Sequence, residues 1–212
     1  MAAVLAVFGC TQQNQQETNH HDQVRSSSNP SITIAFLGDS LTEGFGIQNE
    51  LSYPSRIEAL FQEQKKQSIR VINAGISGST TASAASRMKW LVKSKPDWVV
   101  LALGGNDALR GLLPTEIKKN LKEAIDIAKS NHINVLLAGM KAPPNMGKDY
   151  TERFENVFSE LAKAYPDMTF MPFLLEGVGG EANLNLPDGI HPNEKGHEVI
   201  AQHLFGILKK QL

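Results

Sequence analysis

The sequence predicts an α/β domain of three layers, in which helices cover both faces of a five-stranded parallel sheet. Short apolar runs of strand length alternate along the chain with longer segments that carry helical periodicity. Strands that alternate with helices are joined by right-handed crossovers, and such connections produce a parallel sheet covered on both sides. The predicted strands span residues 32–37, 69–74, 98–103, 135–140 and 168–173.

The first predicted strand, residues 32–37, determines where the sheet carries its ligand. It is an apolar run, interrupted only by Thr33, that stops at Gly38, which is typical of a strand buried on both faces. Asp39 and Ser40 follow at once, and open α/β sheets bind their ligands at the carboxyl ends of strands. We therefore expect the flavodoxin-like strand order 2-1-3-4-5, with the first strand beside a topological switch point.

The helical segments between these strands are amphipathic. In the segment 114–130, Ile117, Leu121 and Ile125 fall on one face, and Lys and Glu residues occupy the opposite face. Ser52 is the expected N-cap of the first of these helices. The predicted helices span residues 52–67, 80–93, 114–130, 149–165 and 194–210.

Composition limits the classes of function. The chain has 212 residues, which is enough for one α/β domain with a full core. Its formal net charge at pH 7 is -1, and 20% of its residues are charged without a dominant basic stripe, so no nucleic-acid partner is expected. The single cysteine, Cys10, cannot form a disulfide within the chain.

Cys10 lies at the end of a short apolar segment. Residues 2–8 are apolar, Gly9 and Cys10 follow, and a stretch rich in Gln, Asn and Ser runs to residue 30. This order resembles a bacterial lipoprotein signal, so we predict a signal over 1–10, lipidation at Cys10 and a disordered linker over 11–30. Residues 31–212 then form the folded domain, and the predicted location is the periplasm or cell envelope, anchored to the membrane.

Polar or glycine residues with a candidate catalytic role follow the first three predicted strands and precede the last predicted helix. Ser40 follows the first strand, Gly75 the second and Asn106 the third. Asp188 and His191 come shortly before the last helix. Because the carboxyl ends of parallel strands lie at one edge of a sheet, we expect these segments to meet there. They form the candidate catalytic site.

These residue types match the requirements of acyl transfer. A serine hydroxyl is a weak nucleophile and needs a base, which the imidazole of His191 can provide to Ser40. Asp188 can orient that imidazole and fix its tautomer. The backbone N–H groups of Ser40 and Gly75, together with the side-chain amide of Asn106, can stabilise the oxyanion of a tetrahedral intermediate. A glycine at position 75 would let the backbone approach the substrate closely.

Other polar residues near these segments have simpler interpretations. Asp39 and Asp107 are alternatives to Asp188 as the orienting acid, but each adjoins a proposed oxyanion residue. Hydrogen bonds that hold the loops are therefore their expected role. His197 and His203 lie on the last predicted helix without the i, i+4 spacing of a zinc-binding histidine pair, so no metal site is predicted.

Four ordered blocks contain the candidate residues: GDSLTEGFG, NAGISGSTT, LALGGNDALRG and DGIHPNEKGH. They resemble those of the SGNH (GDSL) hydrolase superfamily, and more closely its bacterial thioesterase I/lysophospholipase/arylesterase branch, from about residue 32 to the C-terminus. The resemblance implies the SGNH hydrolase fold and a periplasmic, secreted or lipid-anchored esterase that needs no metal or organic cofactor. Glu43 and Phe45 stand where members of the family vary. The residues that give the family its name fall at Ser40, Gly75, Asn106 and His191.

The sequence predicts the substrate of the site less closely than it predicts the reaction. Apolar residues after the third and fourth strands would flank the site and suit an acyl chain or an aromatic ester, or would merely pack beneath loops. Each buried CH₂ would contribute roughly 0.8 kcal/mol to substrate binding. The candidate residues are Leu109, Leu112, Pro143 and Pro144.

The expected partner is a small ester or lipid, and the expected form is a monomer. Aryl esters, lysophospholipids and acyl thioesters all suit the site. Two alternatives stay open: a carbohydrate O-acetylesterase acting on glycan or peptidoglycan, and a non-catalytic lipoprotein that binds lipid or glycan.

Overall fold

The structure, a computed structural model, describes Ala2, residues 31–64 and residues 68–212. The predicted signal over 1–10, with Cys10, and the predicted linker over 11–30 lie outside the described residues, apart from Ala2. Among the residues that are described, no helix is both long and apolar enough to cross a bilayer.

Five parallel strands form one sheet, in the order β2-β1-β3-β4-β5. This confirms the predicted fold class and strand order. The central strand β3 is buried along its whole length, as expected for a strand covered on both faces. The strands are β1 (Ile32–Gly38), β2 (Ile69–Gly75), β3 (Trp98–Ala102), β4 (Asn134–Ala138) and β5 (Thr169–Met171).

Two helical layers cover the sheet. One layer contains α3, α5 and α6, in which α3 packs on α5 and α5 on α6, while α2 packs against α7 in the other layer. The short helices α1 and α4 lie directly after β1 and β3. The helices are α1 (Ser40–Glu43), α2 (Tyr53–Glu63), α3 (Ala84–Val92), α4 (Gly105–Leu109), α5 (Pro114–Ser130), α6 (Lys148–Ala164) and α7 (Glu194–Leu208).

Strand register brings the ends of the first three strands level. Gly38 at the end of β1 pairs with Gly75 at the end of β2 and with Ala102 at the end of β3. The loops that follow these three strands therefore begin side by side at the carboxyl edge of the sheet, as the sequence predicts.

Most differences from the predicted elements lie at element ends. The first residues of the predicted helix 80–93 form a 3₁₀ turn, Thr81–Ser83, before α3 begins. Ser52 does hold the N-cap position of α2, but its hydroxyl donates to the carbonyl of Asn49 at 2.7 Å instead of accepting a backbone N–H of α2. A 3₁₀ turn, Asn49–Leu51, comes directly before Ser52 and supplies that acceptor.

Candidate active site

Ser40 is the first residue of α1, at the point where β1 ends. The side chain of Asp39 caps this helix, because its Oδ1 accepts the N–H of Leu41 at 3.0 Å. Gly38 lets α1 pack closely on the end of β1, because a Cβ at this position would stand 1.8 Å from Oγ1 of Thr42. Ser40 is thus held at the sheet edge as a buried residue.

The imidazole of His191 lies between Ser40 and Asp188. Nε2 of His191 is 2.9 Å from Oγ of Ser40, and Nδ1 is 2.7 Å from Oδ2 of Asp188. The other carboxylate oxygen of Asp188 accepts the backbone N–H groups of His191 and Ile190, at 3.0 and 2.9 Å. These bonds, the backbone N–H of His191 first, lower the pKa of Asp188 to about 2. The carboxylate is therefore ionised at neutral pH.

The loop that carries His191 is tied down on both sides. The N–H of Leu186 donates to the carbonyl of His191 at 2.7 Å, and Asn185 forms an antiparallel bridge with Pro192. Asn193 then caps α7, because its Oδ1 accepts the N–H groups of the second and third residues of that helix. A cap and a bridge thus fix a loop that has no regular structure of its own.

The ring of Phe45 lies against the imidazole of His191. The two ring centroids are 4.6 Å apart and the planes are tilted by 40°. Phe45 is 48% exposed, so it forms part of the outer wall of the site. The family resemblance treats this position as variable, and no signal in the sequence indicates the contact.

Asn106 lies on α4 and faces the loop after β2. Its Nδ2 donates to the carbonyl of Ser79 at 3.1 Å and is 3.4 Å from Oδ2 of Asp39. Burial raises the pKa of Asp39 to about 6. The neighbouring Asp107 accepts the N–H of Thr81 at 3.0 Å and its hydroxyl at 2.5 Å. Both acids hold loop backbone, in line with their expected role.

The predicted part of Gly75 in oxyanion binding is wrong. Its N–H already donates to Oδ1 of Asn73 at 2.9 Å. Its Cα faces α1, where a Cβ would stand 2.1 Å from the backbone nitrogen of Glu43. The close approach that requires glycine here is between β2 and α1, because Gly75 is still paired within the sheet opposite Gly38.

The second glycine of the same block, Gly78, lies beyond the strand end in a turn. Its φ is +75°, a conformation that favours glycine. Its carbonyl accepts from Nη2 of Arg110 at 3.2 Å, and the carbonyl of the next residue, Ser79, accepts from Asn106. Its N–H has no acceptor among the described residues. The useful signal in the sequence was that Gly78, unlike Gly75, follows the predicted strand by several residues.

Exposed apolar side chains are concentrated at this edge of the sheet. Leu109 and Leu112 are 49% and 38% exposed. Pro144 is exposed and Pro143 half-buried. The hydroxyl of Tyr150 donates to the carbonyl of Leu112 at 2.9 Å and ties that loop to α6. Among the described residues, the exposed large hydrophobic side chains on the loops and short helices of this edge are Phe45, Ile76, Leu109, Leu112, Leu113 and Ile190.

His197, on α7, has a structural role. Its ring is buried, stacks on Tyr53 and accepts the N–H of Tyr53 at Nδ1 over 3.1 Å. Burial, with the charge of Arg56 as a second cause, lowers the pKa of His197 to about 4. Within the described residues no group of three or more His, Cys, Asp or Glu side chains could hold a metal ion.

Known proteins share both the sequence and the fold. The GDSL-like Lipase/Acylhydrolase family matches residues 36–199. The chain is 35% identical to an arylesterase of Vibrio mimicus over 88% of this chain and 93% of that protein. It is 34% identical to thioesterase 1/protease 1/lysophospholipase L1 of Escherichia coli (strain K12) over 80% of this chain and 79% of that protein.

The fold is similar to that of the psychrotrophic esterase EstA from Pseudoalteromonas sp., in a crystal structure of the enzyme inhibited by monoethylphosphonate. The two structures superimpose with a TM-score of 0.79 and are 28% identical in sequence. The match covers 84% of this chain and 97% of EstA. The sequence similarity, the shared fold and the geometry of the site all indicate the same family. This chain belongs to the GDSL-like lipase/acylhydrolase family and is a serine ester hydrolase.

Proposed function

We propose that the chain hydrolyses aryl esters, lysophospholipids or acyl thioesters through an acyl-enzyme on Ser40, with His191 as the base and Asp188 as the orienting acid. The observation that carries this proposal is the continuous relay from Oγ of Ser40 over 2.9 Å to Nε2 of His191, and from Nδ1 over 2.7 Å to Asp188. A hydroxyl, a base and an orienting acid in this order are the requirements for nucleophilic catalysis by serine.

The relay accounts for each proton. The ionised carboxylate of Asp188 accepts a hydrogen bond from the N–H group at Nδ1 of His191, which fixes the tautomer whose unprotonated Nε2 directs its lone pair at Ser40. Ser40 attacks the ester carbonyl while His191 takes the hydroxyl proton, and the resulting imidazolium returns that proton to the leaving group. Water then attacks the acyl carbonyl while His191 takes a proton from it, and the imidazolium returns this proton to Oγ of Ser40 as the acyl–Oγ bond breaks and the acid product leaves.

Three donors are suited to the oxyanion of the tetrahedral intermediates. They are the N–H of Ser40 at the start of α1, the N–H of Gly78, and Nδ2 of Asn106. Nδ2 carries two hydrogens, and its bond to the carbonyl of Ser79 uses one of them. The contact of Nδ2 with Asp39 is long, at 3.4 Å, so the second hydrogen is available to a substrate. Gly78 replaces Gly75 in this role.

The apolar loops suit the acyl or aryl part of the substrate. Leu109 ends the helix that carries Asn106 and Leu112 follows it, and Pro143 and Pro144 lie after β4 at the same edge of the sheet. A chain that lies along these side chains would gain roughly 0.8 kcal/mol for each CH₂ removed from water. Affinity should therefore rise with acyl length.

A chain-length series tests the proposal. We expect kcat/KM on p-nitrophenyl esters and acyl-CoA thioesters to rise from acetyl to longer acyl groups, and the activity to vanish in Ser40→Ala. Release of acetate alone, from acetylated glycan and without preference for longer chains, would instead indicate a carbohydrate O-acetylesterase. Folded protein that hydrolyses none of these substrates would contradict an enzymatic function.

We further propose an envelope location with a lipid anchor on Cys10. The support is the order of apolar segment, Gly9, Cys10 and polar stretch in the sequence. Metabolic labelling of expressing cells with an alkyne-bearing palmitate should mark the wild type and not Cys10→Ser. Equal labelling of both would contradict the anchor. We also expect light scattering to give the mass of one chain.

A further inference from the structure

Glu43 ends the short helix that begins with Ser40, and the mechanism above gives it no task. Its side chain is exposed, yet it makes specific contacts with the loop after β2. Oε2 accepts the backbone N–H of Ser77 at 2.8 Å and also accepts the hydroxyl of the same residue. One carboxylate oxygen thus holds both donors of Ser77.

Ser77, Gly78 and Ser79 form what we call the donor turn, because it carries the N–H of Gly78. Each of its residues is held by a different side chain. Asn106 donates to the carbonyl of Ser79 at 3.1 Å and Arg110 to the carbonyl of Gly78 at 3.2 Å, both from the side of β3. Glu43 holds Ser77 from the side of β1, so the donor turn is fixed between two elements.

The helix that supplies Glu43 is itself firmly placed on β2. Nδ2 of Asn73 donates to the carbonyl of Thr42 at 3.0 Å, and Gly75 packs directly on the backbone of Glu43. The N–H of Gly44 closes the end of the helix on the carbonyl of Ser40. One four-residue helix therefore carries the nucleophile at its first residue and the anchor of the donor turn at its last.

We propose that Glu43 is a positioning residue, which sets the donor turn at the distance from Ser40 that an oxyanion requires. The proposal rests on the acyl-enzyme mechanism described above. Because the oxyanion forms only in the transition state, a displaced donor turn should lower kcat while leaving KM nearly unchanged. Glu43 acts through hydrogen bonds to Ser77, and not through contact with the substrate.

The hydrogen-bond acceptor of Glu43, and not its negative charge, should be the property on which kcat depends. A glutamine can place its single carbonyl oxygen where Oε2 of Glu43 lies and still accept both donors of Ser77. An alanine cannot, and it leaves the N–H of Ser77 to water. A negative charge close to a developing oxyanion opposes catalysis, so its removal in Glu43→Gln does not harm the chemistry.

Steady-state kinetics on one p-nitrophenyl ester tests the proposal. For Glu43→Ala we expect kcat to fall about 10- to 100-fold, since a displaced donor loses part of the ~10²–10³ that one oxyanion donor supplies. We expect KM within about threefold of the wild type, because ground-state binding is unaffected. Glu43→Gln should restore most of the lost kcat.

Glu50 offers a matched control. It lines the same surface groove as Glu43, of about 600 Å³, and Glu50→Ala removes the same charge without touching the donor turn. We expect its kcat and KM to match the wild type. Ser77→Ala keeps the backbone bond to Glu43 and should lose less kcat than Glu43→Ala. The double variant should be no worse than Glu43→Ala alone, because both changes remove the same contact.

Three results would overturn the proposal: an unchanged kcat in Glu43→Ala, an equal loss in Glu43→Gln, or an equal loss in Glu50→Ala. Melting temperatures of all variants show whether a loss of kcat is only a loss of folded protein. Failure of the mechanism itself would look different, since Ser40→Ala would then keep its activity whatever the Glu43 variants do.

Discussion

Nε2 of His191 lies 2.9 Å from Oγ of Ser40, although the two residues are 151 positions apart along the chain. The contact joins a turn at the end of β1 to the loop before α7. That loop is held in place by the antiparallel bridge between Asn185 and Pro192. It is also held by Asp188, whose Oδ1 accepts two backbone N–H groups of the loop. The base therefore reaches the nucleophile without a large rearrangement.

The side-chain amide of Asn106 is expected to contribute to kcat. Asn106→Ala removes one of the three proposed oxyanion donors, so kcat should fall by ~10²–10³, the usual loss for such a donor. Asn156→Ala, at an exposed position on α6, serves as the control and should behave as the wild type. Full activity of Asn106→Ala on p-nitrophenyl butyrate would remove Asn106 from the mechanism.

Activity should decline on acidification because a protonated His191 cannot accept the proton of Ser40. Asp188 does not cause this decline, since its pKa of about 2 keeps the carboxylate ionised throughout the range of the assay. The measurement is kcat/KM between pH 4 and pH 8, with protein stability followed in parallel. A rate that stays constant over this range would argue against a histidine base.

Gly75 should be required for stability. Gly75→Ala would place a Cβ 2.1 Å from the backbone nitrogen of Glu43, and overpacking of this kind costs about 1–3 kcal/mol. Gly206→Ala is the matched control, because nothing lies within 4 Å of a Cβ there and alanine favours a helix by roughly 0.5–1 kcal/mol. Urea unfolding measures both. An unchanged free energy of unfolding in Gly75→Ala would contradict the packing role.

His197 should make the fold sensitive to acid. Its pKa is about 4 in the folded chain, below the ordinary value of 6.5, so as the pH falls from 6.5 the unfolded chain takes up a proton before the folded chain does. The free energy of unfolding should therefore fall between pH 6.5 and pH 4, by up to about 3 kcal/mol from this group. Asp39, whose pKa is raised to about 6, has the opposite effect in part of this range.

A variant isolates the contribution of His197. In His197→Asn the amide oxygen can accept the N–H of Tyr53, and no ring remains to be protonated. The difference in unfolding free energy between pH 7 and pH 5 should then be smaller than in the wild type. His203→Asn, exposed on the same helix, should leave that difference unchanged. An identical pH dependence of His197→Asn and the wild type would exclude this assignment.

The sequence predicted the strand order because each buried strand is an apolar run bounded by turn residues, and alternation with helices leaves few topologies. It places the end of β2 at residue 74, one residue before the observed end at Gly75. That error assigned to Gly75 the donor that we now propose for Gly78, which lies past the last sheet pairing. The end of a strand depends on tertiary contacts, here the packing of α1 on Gly75.

The contacts of Glu43 and Phe45 could also not be predicted from the sequence. Both belong to the first block, but each meets a residue far away along the chain, Ser77 and His191 respectively. Loop residues carry no periodicity that reveals such partners. Only the relative placement of the loops at the sheet edge shows them.

The central claim is that Ser40 becomes covalently modified with help from His191. The most direct measurement is mass spectrometry of the protein after treatment with a fluorophosphonate probe. We expect one probe per chain, on the peptide that contains Ser40, with no labelling of Ser40→Ala and much slower labelling of His191→Ala. Labelling at another residue, or equal labelling of folded Ser40→Ala, would contradict the account.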